Sequence, residues 1–283
     1  MSGTLFVVAT PIGNLEDITL RALRVLREVT LVAAEDTRRT GNLLRHYDIP
    51  TPVISYHEHN ERQRTVQILD RLRAGASVAL VSDAGTPGIS DPGAVLVKAA
   101  REGGFRVDPV PGPSAVTAAL SASGLAFSRF AFAGFPPIRS KDRTKWFSWV
   151  ESLSDVPVVF YEAPHRIRRT LDEVRRYLVE RPILVARELT KVHEQWSSGN
   201  SEECKGLDRG EFVVILGQMT TNGSADSQLQ ATAAPTDVEI QQIFGELTKS
   251  AMLPSRRAAI KAVADRLGLS ARAVYEALER VKN

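Results

Sequence analysis

The sequence predicts an α/β fold followed by a small helical piece, on three observations. Apolar strand-like runs alternate with amphipathic helical segments through most of the chain, the pattern of a mainly parallel sheet covered by helices. A stretch rich in Thr, Ser, Ala and Gln, residues 220–235, then reads as a linker. Beyond it, two apolar helix faces flank the tight turn Gly268-Leu269-Ser270.

The elements follow in order. Thr4-Leu5-Phe6-Val7-Val8-Ala9 reads as a buried strand, and Ala22, Val25, Leu26 and Val29 recur at i, i+3, i+4, i+7, one helix face. Leu31-Val32-Ala33-Ala34 is a second strand. Asn60 with Gln63 has the capping-box form ahead of a helix carrying Val66, Leu69 and Leu72. Ser77 to Ser82 is a third strand, and Asp91-Pro92 marks a helix start, with Asp91 as N-cap and proline in the first turn. Val107 to Val110 is a short strand that runs into Pro111-Gly112-Pro113-Ser114 and a small-residue helix ending near Gly124. Phe130 to Pro137 reads as a strand and then a hinge. A second α/β domain opens with a helix from about Lys141, with strands at Val156–Tyr161, Ile183–Ala186 and Glu211–Gly217 and a helix around Ile167–Leu178. The division expected is 1–134, 135–219, the linker 220–235, and a helical domain 236–283.

In that last domain, Ile260, Val263, Ala264 and Leu267 form one apolar face. Ser270 is a good N-cap, and Val274, Ala277, Leu278 and Val281 form the next face. Helix, glycine turn, helix is the helix-turn-helix pattern, in which Arg272 and Tyr275 stand near the exposed start of the second helix. A helical hairpin used for packing or dimerisation has the same spacing. From Met252 to Asn283 there are seven basic and three acidic residues, a net +4, against +3 for the whole chain. This asymmetry points to a polyanion, although a solvated basic helix pair carries the same charge.

Composition narrows the function classes. With 283 residues and 43% hydrophobic content there is ample apolar material for a core. The single cysteine, Cys204, excludes an internal disulfide and any zinc site built on several thiolates, and a reducing cytoplasm is the expected setting. The apolar run Leu5–Ala9 is too short for a signal peptide, and no stretch approaches the length of a membrane span.

Four turn-rich segments follow predicted strands, on the edge where open α/β sheets bind ligands. They are Thr10-Pro11-Ile12-Gly13-Asn14, Ala34-Glu35-Asp36-Thr37-Arg38, Ser82 to Gly93, and Pro111-Gly112-Pro113-Ser114-Ala115. Gly85, Gly88 and Gly93 with two prolines fix an irregular backbone that can present N–H and C=O groups to a ligand. No G-x-G-x-x-G follows the first strand, and no P-loop or G-x-S-x-G elbow occurs, which argues against a standard dehydrogenase, a P-loop enzyme or a serine hydrolase. His57-Glu58-His59 does not place both rings on one helix face, so a polar loop is expected there and no metal.

These segments carry a specific resemblance, together with Tyr161-Glu162-Ala163-Pro164-His165-Arg166 and Ala186-Arg187-Glu188-Leu189-Thr190-Lys191. In order, and over essentially the whole chain, they resemble the ribosomal RNA small subunit methyltransferase I family of the tetrapyrrole-methylase superfamily. The resemblance implies two α/β domains with the methyl donor, S-adenosylmethionine, in the cleft between them, plus the helical domain. It also implies a homodimer and 2′-O-methylation of a cytidine ribose in the decoding region of 16S rRNA, within the 30S subunit. Where porphyrin-type members carry a Gly-Pro-Gly-Asp loop, this chain has Pro11-Ile12-Gly13-Asn14, the ribosomal RNA branch pattern; residues 192–210 follow the family loosely.

By the same resemblance, the backbone at Asp83, Gly85 and Ile89, together with Ser90, Ser114 and Ala115, holds the donor, Pro11 and Phe135 line its pocket, and Tyr161 closes the other side. A ribose hydroxyl is a very weak acid and needs a base or a nearby cation. Glu188 and Lys191, in one loop past a strand end, are the candidates, with His165 next. A structural ion pair of Glu188 with Arg187 or Lys191 fits the sequence equally well. Arg38, Arg139, Lys141 and Arg166, with Arg256, Arg257 and Arg272 of the helical domain, are the expected RNA contacts. Two other readings stay open on these residues, namely a methyltransferase of tetrapyrroles or other small molecules, and a non-catalytic RNA-binding assembly module.

Overall fold

A computed structural model describes residues 3–179, 181–199, 209–219, 237–250, 256–267 and 271–280. Cys204, the linker 220–235, the turn 268–270 and Val281 lie outside the described residues, as do the side chains of Arg257, Leu267 and Arg272. Residues 1–219 and 220–283 form two compact units.

The first sheet of the larger unit holds β1 (Thr4–Val8), β2 (Leu31–Ala34), β3 (Val53–Ser55), β4 (Val78–Val81) and β5 (Arg106–Val110). All are parallel, in the order β3-β2-β4-β1-β5. Every residue of β2 and β4 is buried, because both sheet faces are covered. Alternation divides them: Val32 and Ala34 join the core under α1 (Leu20–Glu28) and α2 (Thr37–His46). Leu31 and Ala33 join the core under α3 (Glu61–Arg73) and α4 (Ala94–Glu102). The connection leaving β1 passes over the first face toward β2. The one leaving β4 passes over the second toward β5, in the opposite direction. Adjacent strands whose connections part in this way leave a crevice at their carboxyl ends.

The second sheet holds β6 (Ala131–Phe132), β7 (Val158–Glu162), β8 (Ile183–Arg187), β9 (Gln195–Ser197) and β10 (Phe212–Leu216), ordered β6-β7-β10-β8-β9. β10 runs antiparallel to both of its neighbours. One face packs under α6 (Ser140–Ser152) and α7 (Ile167–Tyr177). The other face does something the sequence does not announce. Val159, Ala186, Val213 and Ile215 share a core with Val116, Ala119 and Leu120 of α5 (Ala115–Ala122), and with Ile12 from the loop after β1. The two halves are therefore joined by buried apolar surface.

Several elements depart from expectation. Asn60 makes no side-chain cap bond; its amide reaches back to Ser55, and its Oδ1 accepts from the His57 N–H, so the capping box does not form. The helix expected at Asp91-Pro92 begins at Ala94. Gly93, with φ +142°, breaks the helical dihedrals and leaves Asp91 in the loop. α2, β3 and β9 are not expected from the sequence. Strands of three residues are too short to show alternation, and α2 offers the core only Thr40, Leu43 and Leu44.

The smaller unit packs α8 (Asp237–Ser250), α9 (Arg256–Leu267) and α10 (Ala271–Arg280) around Ile240, Ile260, Val263, Ala264, Val274, Ala277 and Leu278. The two expected helices are present, and α8, which the sequence reading placed no element on, completes their core. Arg280 bonds Asp237 through Nε and Nη2 at 2.7 and 2.8 Å, closing α10 onto the start of α8.

One buried cation holds the end of the second sheet. Arg181 donates to the carbonyls of Gly217, Val150, Leu153, Val156 and Leu216 at 2.6–3.3 Å. Burial lowers its guanidinium to about 10. No other side chain supplies five donors in one plane. Arg181→Met keeps the apolar stem and strands the carbonyls. It is expected to lose about 3 kcal/mol or more of stability in urea unfolding, and Arg181→Lys should recover only part of that. A wild-type midpoint in Arg181→Met would show that the carbonyls find other donors.

Candidate functional site

The loops after β1 and β4 are fastened to each other. Thr10 N–H donates to Gly85 O at 2.8 Å and Gly85 N–H to Thr10 O at 3.0 Å, while Thr10 Oγ1 donates to Ser82 O at 3.2 Å. Gly85 (φ +80°), Gly88 (φ +81°) and Ser90 (φ +62°) give the second loop its reversals. Thr86 Oγ1 donates to Pro113 O at 3.4 Å, which ties in the loop after β5.

Between these loops and the second sheet lies a cavity of about 350 Å³, in the size range of small-molecule sites. Gly85, Ile89, Ser90, Ser114, Ala115, Phe135 and Tyr161 all line it. Pro11 and Asp83 are not on its wall. Ile12 takes the position beside Pro11, and the Asp83 carboxylate turns away to accept from Asp36 N–H at 2.9 Å and to meet Arg39 at 3.5 Å.

Four titratable residues line the cavity: Asp91, Tyr161, Glu162 and Glu211. Burial, followed by the nearby Glu35 carboxylate, raises Asp91 to about 6 against a lowering hydrogen bond from Ser82; Asp83 adds to the rise. Glu35 is also raised, by burial and then by Asp83. Three carboxyl groups thus crowd the end of the first sheet, where a cation would relieve their repulsion. Tyr161 is pushed up to about 12 by burial and by Asp91, so it stays a neutral phenol. Glu162, its side chain fully buried, accepts from Arg166 and Thr170 at 2.5 Å and from Ala163 N–H at 2.8 Å.

The loop that carries Glu188 and Lys191 is drawn tight. Glu188 (φ +53°) and Thr190 (φ +65°) both sit in the left-handed region. Lys191 Nζ lies 2.9 Å from Glu188 Oε1 and 3.2 Å from Glu211 Oε2, and the same Glu188 oxygen accepts from Glu211 N–H at 2.8 Å. Burial raises the Glu188 carboxyl, but the bonds from Lys191 and from Glu211 N–H outweigh it and hold the group below its ordinary value. Burial lowers Lys191, and its two carboxylate partners outweigh that and raise it. Both groups are charged, and neither is on the cavity wall; Glu211 is. His165 is exposed and off the wall.

The expected RNA contacts scatter. Arg38 is exposed and paired to Asp36 at 2.7 Å. Arg139 and Lys141 are exposed at the start of α6, a few residues past Phe135 on the cavity wall. Arg166 turns inward to Glu162 and to Pro136 O, which spends its guanidinium inside the fold. Arg256 lies 6.0 Å from the Tyr275 ring. Asp91 and Glu211 carry no functional signal in the sequence, because each stands at the end of an expected element: Asp91 caps the expected helix and Glu211 opens the expected strand. Among the described residues, no group of three or more His, Cys, Asp or Glu is arranged to hold a metal ion.

Residues 4–205 match the model of the tetrapyrrole (corrin/porphyrin) methylase family. A ribosomal RNA small subunit methyltransferase I of Synechocystis sp. is 48% identical over 226 residues, covering 77% of this chain and 80% of that protein. One of Haemophilus influenzae is 40% identical over 287 aligned positions, covering 98% of this chain and 96% of the relative. Among solved structures, a uroporphyrin-III C-methyltransferase from Thermus thermophilus, complexed with S-adenosyl homocysteine, shares the fold. Its TM-score is 0.55 at 22% identity, over 76% of this chain and 97% of that one.

Proposed function

The chain belongs to the tetrapyrrole (corrin/porphyrin) methylases, in the ribosomal RNA small subunit methyltransferase I branch, and we propose that it methylates 16S rRNA from S-adenosylmethionine at a cytidine 2′-hydroxyl in the decoding region. The observation that carries this reading is the cavity, built by the segments that bear the family pattern and lined on one side by Asp91, whose proton affinity burial and the nearby Glu35 carboxylate raise. Residues 1–134 and 135–219 would act as the two halves of the donor cleft, and 236–283 as an appended RNA-binding domain. The 30S subunit as substrate, a homodimer and a cytoplasmic setting complete the proposal.

The residues present fit the donor. When bound, it supplies a methyl carbon on positively charged sulfur. Gly85 and Ser90 offer backbone free of bulky side chains, Ser114 and Ala115 stand at the start of α5, and Phe135 and Tyr161, with ring centroids 5.5 Å apart, form an apolar wall. Asp91, backed by Glu35 and Asp83, complements a cation. The apolar lining excludes water, and holding donor and acceptor in line then supplies much of the rate. Lys191 places a positive charge near the second-sheet wall, where it favours a developing alkoxide. Glu188 aims Lys191: with its Oε1 taken twice and its basicity lowered, it suits orientation better than proton abstraction. Arg139, Lys141 and the basic helical unit would meet phosphates.

The test is methyl transfer from labelled S-adenosylmethionine to 30S subunits and to free 16S rRNA, with the modified nucleotide mapped. A 2′-O-methylcytidine in the decoding region is expected. Label confined to a small molecule, or donor binding with no labelled RNA, would contradict the reading. A separate variant probes the donor loop. Gly85 has φ +80°, a conformation that a β-branched residue strains to adopt. Gly85→Val is expected to weaken donor binding in calorimetry by about tenfold or more. Unchanged affinity in a folded variant would remove this loop from the site.

A further inference from the structure

Methyl transfer to a hydroxyl leaves a proton to be placed, and the cavity wall narrows where it goes. This inference rests on the function proposed above. Of the four titratable groups on the wall, Glu162 has both oxygens committed to Arg166, Thr170 and Ala163 N–H. Tyr161 is a neutral phenol and a poor base. Asp91 belongs to the loop with Gly85 and Ser90 and has Glu35 and Asp83 behind it, so it faces the cationic donor. Glu211 stands on the opposite wall. Its side chain is 62% exposed, among the described residues only its Oε2 is engaged, by Lys191, and it directly precedes β10, the central strand of the second sheet. Glu188, although nearer to Lys191, is off the wall, with one oxygen shared between two donors.

We propose that Glu211 is the catalytic base: it receives the acceptor proton on Oε1 while Lys191, bonded to Oε2, stabilises the developing negative charge. The step balances. The acceptor O–H breaks and its proton passes to Glu211. A bond forms from that oxygen to the methyl carbon as the carbon–sulfur bond breaks, and its electron pair stays on sulfur, which becomes neutral. The described groups around Glu211 are Lys191 at 3.2 Å, Glu188 on its own N–H, Arg187 at the end of β8 and Tyr161 of the neighbouring β7, whose phenol feels the Glu211 charge. The one carboxylate side-chain acceptor among them that could compete for the proton, Glu188, is held below its ordinary basicity by Lys191 and the Glu211 N–H.

Single-turnover methyl transfer into RNA, with donor and RNA saturating, is followed across pH for the wild type, Glu211→Gln, Glu211→Asp, Glu188→Gln and Asp91→Asn. The wild-type rate should fall on the acid side as the base is protonated. Glu211→Gln should lose roughly 10²–10⁴-fold and with it the acid limb, at unchanged donor affinity in calorimetry. Glu211→Asp should keep the limb at a lower rate. Glu188→Gln should slow the reaction and also keep the limb. Should Glu211→Gln fail to fold, Glu211→Asp decides, and a wild-type rate there overturns the proposal. So does a Glu211→Gln variant within a few-fold of wild type with its limb intact, or a limb lost only in Asp91→Asn. A wild type that labels no RNA overturns the functional reading itself, a result separable from all of these.

Discussion

With no side chain at Gly13, the loop after β1 comes close against residues 189–191. A Cβ there would lie 2.5 Å from the Lys191 stem and 2.7 Å from both Leu189 O and Thr190 Oγ1. On one side of Gly13, Ile12 is buried in the core shared with β7, β8 and β10. On the other, a loop with two left-handed residues keeps its shape and delivers Lys191 to Glu188 and Glu211. Contact with the first sheet thus sets the position of a charge on the second.

The cavity that results is electrostatically two-sided. At the first-sheet wall stands Asp91, with Glu35 near it; burial and neighbouring carboxylates raise the proton affinity of both, and a positive ligand can take the protons' place. Beside Glu211 of the second-sheet wall, Lys191 is held charged by two carboxylates. This polarity suits a reaction in which positive charge disappears at the donor while negative charge develops at the acceptor. The rigid supports behind the second wall are themselves buried ions. Glu162 fixes Arg166, and Arg143 bonds Thr170 at 2.7 Å and pairs with Glu173. Breaking such a pair from one side leaves an uncompensated charge, which makes the wall costly to deform.

Much of this was legible in the sequence, for identifiable reasons. The long periodic segments, such as the face Ala22, Val25, Leu26 and Val29, are buried as their spacing requires. The glycine-rich loop stood out because Gly85, Gly88 and Gly93 all have positive φ, a demand that shows in residue type. What stayed hidden depends on tertiary neighbours. Nothing local distinguishes Glu211 from any polar residue at a strand start, and its place on the cavity wall exists only once β10 lies between β7 and β8. Asp83 sits in the right loop, but its carboxylate caps Asp36 N–H, a partner 47 residues away. Arg166 looked like a phosphate contact until the buried Glu162 gave it an inward partner.

If close packing between the two sheets' loops sets the chemistry of the second wall, Gly13→Ala must disturb that wall. The added methyl must displace the Leu189 carbonyl and the Lys191 stem, while the donor-side residues Gly85, Ser90 and Asp91 are left in place. Single-turnover methyl transfer and donor calorimetry on this variant separate the two walls. The account predicts a rate lower by about tenfold or more, the equivalent of at least 1.4 kcal/mol, with donor affinity within about twofold of wild type. A wild-type rate, or a loss confined to donor affinity, would contradict it.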